Sequence, residues 1–189
     1  MLGREFYDRP AEEVARALLG KILVHGAASA RVSARIVETE AYLGLRDRAA
    51  HAWRGLTPRT KILFGPPGHA YVYLIYGMYE CLNISAEGEG SPGCVLIRAL
   101  EPLTGIATMR KRRGAAKRDQ DLANGPGKLT IAMGITRKHN GVDVTKGSLT
   151  VHEGTGEAFE VGISPRIGIR HNVDWPLRFF VAGNDCVSR

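Results

Sequence analysis

The chain is poor in cysteine, with three in 189 residues: Cys81, Cys94 and Cys186. None lies in a Cys-x-x-Cys pair, and an odd number argues against a disulfide framework. Buried, reduced thiols in a reducing compartment are the expectation. Long apolar runs are missing too. The longest, Tyr71 to Tyr76, falls far short of the roughly 20 residues that a membrane helix needs. The start, Met1-Leu2-Gly3-Arg4-Glu5, has no basic segment leading into an apolar one, so no secretory signal is read and a cytoplasmic location is expected. The six histidines, His25, His51, His69, His139, His152 and His171, form no His-Glu-x-x-His or similar array, so no metal site is expected. Gly125-Pro126-Gly127-Lys128 lacks the remaining spacing of a nucleotide P-loop, which excludes nucleoside triphosphate binding. A Gly-x-Ser-x-Gly nucleophile elbow is also missing. With no internal repeat and no low-complexity linker, residues 1–189 read as one domain.

What remains is a globular composition, 44% hydrophobic and 24% charged. A chain of this length buries about 70% of the surface it exposes when unfolded, enough for a core without staples. Twenty-six basic against 19 acidic residues leave a net charge of +7. Such a surplus favours anionic partners, nucleic acid among them, although a basic enzyme with no such partner has the same charge.

Residues 10–19 read as a helix, with Pro10 and the acidic pair Glu12 and Glu13 at its start and Gly20 at its end. Strands are expected at 21–25, 33–42 and 94–100, with a hairpin of 70–76 and 79–85 around Gly77-Met78. Further strands are expected near 148–152, 166–170 and 177–182. A helix is expected to open at Pro102 and run to Arg110, and another to follow Gly125. Residues 44–69 read mostly as loop, and Asn140-Gly141 as a turn. Strands that follow one another directly imply an α+β domain with a mainly antiparallel sheet.

Three groups of residues can carry chemistry. Alternation along a strand puts Ile36, Glu38, Glu40 and Tyr42 on one face, with the two carboxylates roughly 7 Å apart at Cα. One carboxylate can act as a general base with the other as its electrostatic partner, or both can belong to a solvated strand face. Four tyrosines crowd into nine residues, Tyr71, Tyr73, Tyr76 and Tyr79. Aromatic faces stack on bases at about 1–3 kcal/mol each, and a tyrosine at a hairpin tip can wedge into a duplex. A core hairpin with satisfied hydroxyls uses the same residues. The basic run through Arg112 and Arg113 can contact phosphates or simply face water.

Ordered motifs then run along nearly the whole chain. They include Val37-Glu-Thr-Glu-Ala-Tyr-Leu-Gly44, Arg48-Ala-Ala-His51, Thr57-Pro-Arg59 and Phe64-Gly-Pro-Pro-Gly-His-Ala-Tyr-Val-Tyr73. Ile75-Tyr-Gly-Met78, Cys81-Leu-Asn-Ile84, Val95-Leu-Ile-Arg-Ala-Leu-Glu-Pro102 and Asn124-Gly-Pro-Gly-Lys-Leu129 follow, then Pro165-Arg-Ile-Gly-Ile169 and Leu177-Arg-Phe179. In these the sequence resembles the alkyladenine (3-methyladenine) DNA glycosylase family, and its short start resembles the bacterial members.

The resemblance implies a curved sheet with surrounding helices and a hairpin projecting towards DNA. It implies a monofunctional enzyme that flips damaged purines, alkylated or deaminated, out of double-stranded DNA and hydrolyses the N-glycosidic bond. The catalytic carboxylate falls on Glu40, which activates a water; Arg98 helps hold both and should lower the pKa of Glu40, and the Ile169 carbonyl is a third contact to the water. Tyr42 and Tyr73 sandwich the base, His51 stacks at its edge, and Asn83 disfavours the 2-amino group of guanine. Tyr76 fills the gap left in the duplex and Lys128 meets the DNA backbone. No metal and no cofactor are implied, and a monomer acting on bacterial DNA is expected. The chain departs from the family pattern at Thr60, Leu63 and Arg170, which bears on the range of bases. A non-catalytic damaged-DNA-binding protein is the alternative from another class, and a carbohydrate hydrolase using Glu38 and Glu40 is a third.

Overall fold

After a single helical turn, α1 (Arg4–Tyr7), the chain forms α2 (Ala11–Leu18), which buries Ala11, Val14, Ala15 and Leu18 on one stripe. This i, i+3, i+4, i+7 spacing is that of an amphipathic helix, and Pro10 with Glu12 and Glu13 opens it as expected. Strands β1 (Ile22–His25) and β2 (Val32–Tyr42) follow, then β3 (Ala70–Ile75), β4 (Tyr79–Ala86) and β5 (Gly93–Thr104). Helices α3 (Ile106–Arg112) and α4 (Pro126–Met133) precede three short strands, β6 (Leu149–His152), β7 (Val161–Ser164) and β8 (Arg178–Val181). The structure is a computed structural model and describes residues 1–188, the side chain of Ser29 excepted.

The eight strands form one open sheet with the path β3-β4-β5-β2-β1-β6, and β7 joins through β8. All the pairings among the described strands are antiparallel. The α+β class and the mainly antiparallel sheet therefore stand. The long strand β2 organises it. One side pairs with β5; the other is shared between β1, along Val32–Arg35, and β8, along Glu38–Glu40. At the fork, Ile36 opposes Leu100 and Glu38 opposes Ala99, so Val37 is an extra residue. Such a bulge bends its strand and re-aims side chains. Ile36 enters the main core while Val37 packs with Ala99, Val181 and Cys186. This corrects the simple alternation: Ile36 does not share the face of Glu38 and Glu40.

Helix α2 covers the sheet beside β2, where the Thr39 hydroxyl donates to the Ala15 carbonyl at 2.9 Å. Helix α4 lies against β4, and Thr130 donates to the Glu80 carbonyl at 3.0 Å. Two expected elements differ. No helix opens at Pro102; β5 runs on to Thr104, and α3 begins after Gly105, whose φ is 71°. Pro102 is tolerated because β4 pairs only with Gly93–Leu96, so β5 is an edge strand there. Residues 166–170 are not a strand either; the strand is β7, and Pro165 ends it before a loop that turns over the sheet. No helix among the described residues is long and apolar enough to cross a membrane.

Candidate functional site

One cleft of about 770 Å³ opens between the β3–β4 hairpin, the start of α4 and the loop after β7. It brings together residues far apart in the chain. Tyr42, His51, Tyr73, Asn83, Arg98 and Ile169 line it, with Tyr76, Arg113 and Lys128. Arg112 does not. Its Nη1 donates to the Ala132 carbonyl at 3.0 Å, at the end of α4, where a cation complements the helix dipole.

Glu40 lies directly behind the cleft wall and is wholly buried. Three cleft residues touch its carboxylate. Ile167 N–H donates to Oε1 at 2.7 Å, Tyr42 OH donates to Oε2 at 2.9 Å, and Arg98 Nη1 lies 3.2 Å from Oε1. Glu38, also buried, is more fully bonded. Its Oε1 accepts from Arg98 Nε at 2.8 Å, Arg178 Nε at 2.7 Å and Ser188 Oγ at 2.8 Å, and Oε2 accepts from Ser188 N–H at 2.7 Å. One guanidinium thus bridges both carboxylates.

The two carboxylates titrate in opposite senses. Burial pushes Glu38 up, but Arg98, Arg178 and the two donors of Ser188 outweigh it and hold Glu38 below the usual carboxylate value. Burial also pushes Glu40 up; Arg98, Ile167 N–H and Tyr42 OH oppose it without cancelling it, and the charge of Glu38 adds to the rise. The expected downward pull of Arg98 on Glu40 is present, yet desolvation wins. A carboxylate with a raised pKa is a better base near neutrality.

Aromatic rings build one side of the cleft. His51 meets Tyr73 edge-on with centroids 4.5 Å apart, and its Nδ1 lies 2.9 Å from Tyr71 OH. Desolvation, then the charge of Arg59, lowers the His51 pKa and keeps the ring neutral. Asn83 Nδ2 donates to the Tyr71 carbonyl at 3.2 Å, which fixes the amide where it lines the cleft. Leu63 is buried with Tyr71 and Cys94, Arg170 lines the cleft, and Thr60 caps its own turn through Thr57 N–H at 2.9 Å. Cys81 and Cys94 line the cleft as free thiols, pushed up by burial to about 11 and about 12.

Tyr76 is 78% exposed at the tip of the β3–β4 hairpin. Tyr76 and Gly77 both have positive φ, 53° and 70°, and Met78 N–H donates to the Ile75 carbonyl at 3.2 Å. Two positive φ values within a four-residue turn are the type I′ pattern that suits a twisted hairpin. At the base of the hairpin α4 comes very close: a Cβ on Gly127 would lie 2.9 Å from Tyr79 Cβ, so this position requires glycine.

Sequence reasoning missed several supports. Arg166 and Asp47 form a wholly buried ion pair, and Arg166 Cζ lies 4.6 Å from the Tyr42 ring centroid. Arg178 and Ser188 hold Glu38. Arg166 and Arg178 stand inside the ordered motifs, but partners 119 and 140 residues away leave no local signal. Among the described residues no three of His, Cys, Asp or Glu gather as a metal site.

A sequence model of the methylpurine-DNA glycosylase family matches residues 5–185. A protein of Methanocella arvoryzae, named "Putative 3-methyladenine DNA glycosylase", is 50% identical over all of this chain and 96% of its own length. Proteins of the same name from Alkaliphilus oremlandii and Burkholderia lata are 46% and 49% identical, over all of this chain and 98% and 91% of theirs.

Proposed function

The chain belongs to the methylpurine-DNA glycosylase family, and from that premise we propose that it excises damaged purines from double-stranded DNA by a single hydrolytic step. The observation that carries the reading is the carboxylate of Glu40, buried behind the cleft and bonded, among the described residues, by groups that line it. A base inside the stack is out of reach, so the nucleotide leaves the duplex and its purine enters the cleft. Tyr42 and Tyr73 are the walls on which it stacks, with His51 at the edge and Asn83 below. Tyr76 occupies the place the nucleotide vacates. Lys128 and Arg113 meet phosphates.

Glu40 takes a proton from water as the oxygen attacks C1′ of the sugar. The C1′–N bond breaks and its electron pair goes to the purine. Arg98 and the Ile169 carbonyl orient the carboxylate and the water. An alkylpurine cation leaves as a neutral base, and its charge is attracted to tyrosine faces by about 0.5–2 kcal/mol. Hypoxanthine leaves as an anion unless it is protonated, and general acid help there is worth 10²–10⁴-fold. Because the nucleophile is water and not an amine, the sugar stays attached to both phosphates and the strand is not cut.

Single-turnover reactions on duplexes carrying 3-methyladenine, hypoxanthine or ethenoadenine test this. Free purine is expected in solution, with strand breaks only after alkali. Tight binding of these duplexes with no base released would favour a damage-recognition protein without catalysis.

A further inference from the structure

We propose that Arg166, clamped by Asp47, is a positioning residue that sets both the base-facing ring of Tyr42 and the backbone N–H that holds Glu40. The inference rests on the glycosylase reading of this cleft. Arg166 is not part of the cleft wall. Its guanidinium lies behind Tyr42, with Cζ 4.6 Å from the ring centroid, while Tyr42 itself lines the cleft. Nη1 donates to Asp47 Oδ2 and, at 2.9 Å, to the Ala41 carbonyl; Nη2 donates to Asp47 Oδ1 at 3.0 Å. Nε has no acceptor among the described residues, so the guanidinium plane is committed to the fork and the ring. Asp47 is fixed in turn by Leu43 N–H at 3.2 Å and Ala49 N–H at 3.0 Å.

Three segments meet at this pair: the end of β2, the turn after it, and the loop that follows β7. The residue next to Arg166 is Ile167, whose N–H reaches Glu40 Oε1 at 2.7 Å. Tyr42 OH reaches Oε2 at 2.9 Å. Both groups that touch Glu40 from the cleft, Arg98 apart, are therefore fixed by one guanidinium. Stability alone gives little reason for such a pair, since apolar replacements of buried ion pairs are often no less stable. Its two charges also cancel, so the face of Tyr42 that a base meets keeps its attraction for a cation.

The test compares wild type with Arg166→Lys, which keeps the charge opposite Asp47 but loses the fork and the planar stack. Single-turnover excision at saturating protein is expected to fall at least 30-fold. Affinity for undamaged duplex should stay within threefold. The acid limb of the pH–rate profile should move up by half a unit or more, because Ile167 N–H no longer favours the ionised carboxylate. Arg98, Glu38, Tyr42 and Cys81, the other titratable groups that act on Glu40 or feel its charge, are unchanged in sequence. A change confined to melting temperature, with rate and pH profile retained, overturns the proposal. If Arg166→Lys does not fold, the paired change Arg166→Met with Asp47→Leu removes both charges together, and a folded protein with full activity overturns it equally. Wild-type protein that releases no purine sinks the glycosylase reading and this proposal with it, whereas wild-type and Arg166→Lys proteins that excise equally fast sink only this one.

Discussion

Glu38 and Glu40 stand two residues apart on β2 and share Arg98, yet their surroundings push them in opposite directions. The consequence for stability follows from the signs. The folded-state pKa of Glu40 is raised, so its contribution is favourable at low pH and is lost as pH rises through that value. Glu40→Gln should therefore raise the melting temperature at pH 7, by roughly 2–4 °C for each 1 kcal/mol recovered, with the gain fading in acid. Calorimetry at pH 7 and pH 4 checks this. Glu38 is the reverse case. Its stabilisation is present above its unfolded-state pKa and disappears as pH falls through the lower folded one. Glu38→Gln leaves Arg178 and Arg98 short of a charged partner, and should cost about 3 kcal/mol in denaturant unfolding at pH 7. The pairing of the two glutamates was legible in the sequence from their spacing. Which one is locked and which is poised was not, because that depends on Arg178, Ser188 and Ile167, which only the fold brings in.

At the scale of elements, the β3–β4 hairpin shows what local chemistry reveals. Alternating tyrosines around Tyr76-Gly77-Met78 announce two strands and a tight turn, and the turn has that geometry. If Tyr76 fills the gap left by a flipped nucleotide, Tyr76→Ala should slow excision more for a well-paired lesion than for a mismatched one. Equal losses in single-turnover rate would remove Tyr76 from that role. The misread elements, the Pro102 helix and the 166–170 strand, have tertiary causes. Pro102 survives in β5 because no described strand pairs with its other side, and the segment from Arg166 bends because Asp47 draws its side chain inwards. Neither partner is near in sequence.

Across the whole molecule, part of the +7 charge gathers at the cleft. Arg48, Arg113, Lys128 and Arg170 all line the cleft. Several basic residues elsewhere are matched instead: Arg110 with Asp119, Arg118 with Asp121, Arg35 with Glu101. The basic run that looked uniform in sequence therefore divides. Arg113→Ala and Lys128→Ala should each lower the slope of log affinity against log salt by about 0.9 for every DNA phosphate that the side chain neutralises. Arg112→Ala should leave the slope alone and loosen the end of α4 by about 0.3–1 kcal/mol. Equilibrium titrations at several salt concentrations separate the two.

The buried carboxylate of Glu40 is the centre of the proposed chemistry, and the most direct measurement is made on Glu40→Gln. Its single-turnover excision rate and its affinity for the same lesion-bearing duplex should be determined together. We expect excision to be abolished and affinity to remain within a few-fold of wild type, because the glutamine carbonyl still accepts from Ile167 N–H and its amide N–H can donate to the Tyr42 hydroxyl oxygen, but it cannot take the proton of water. A Glu40→Gln protein that releases purine at close to the wild-type rate contradicts the assignment, and one that loses DNA binding along with excision makes Glu40 a structural residue.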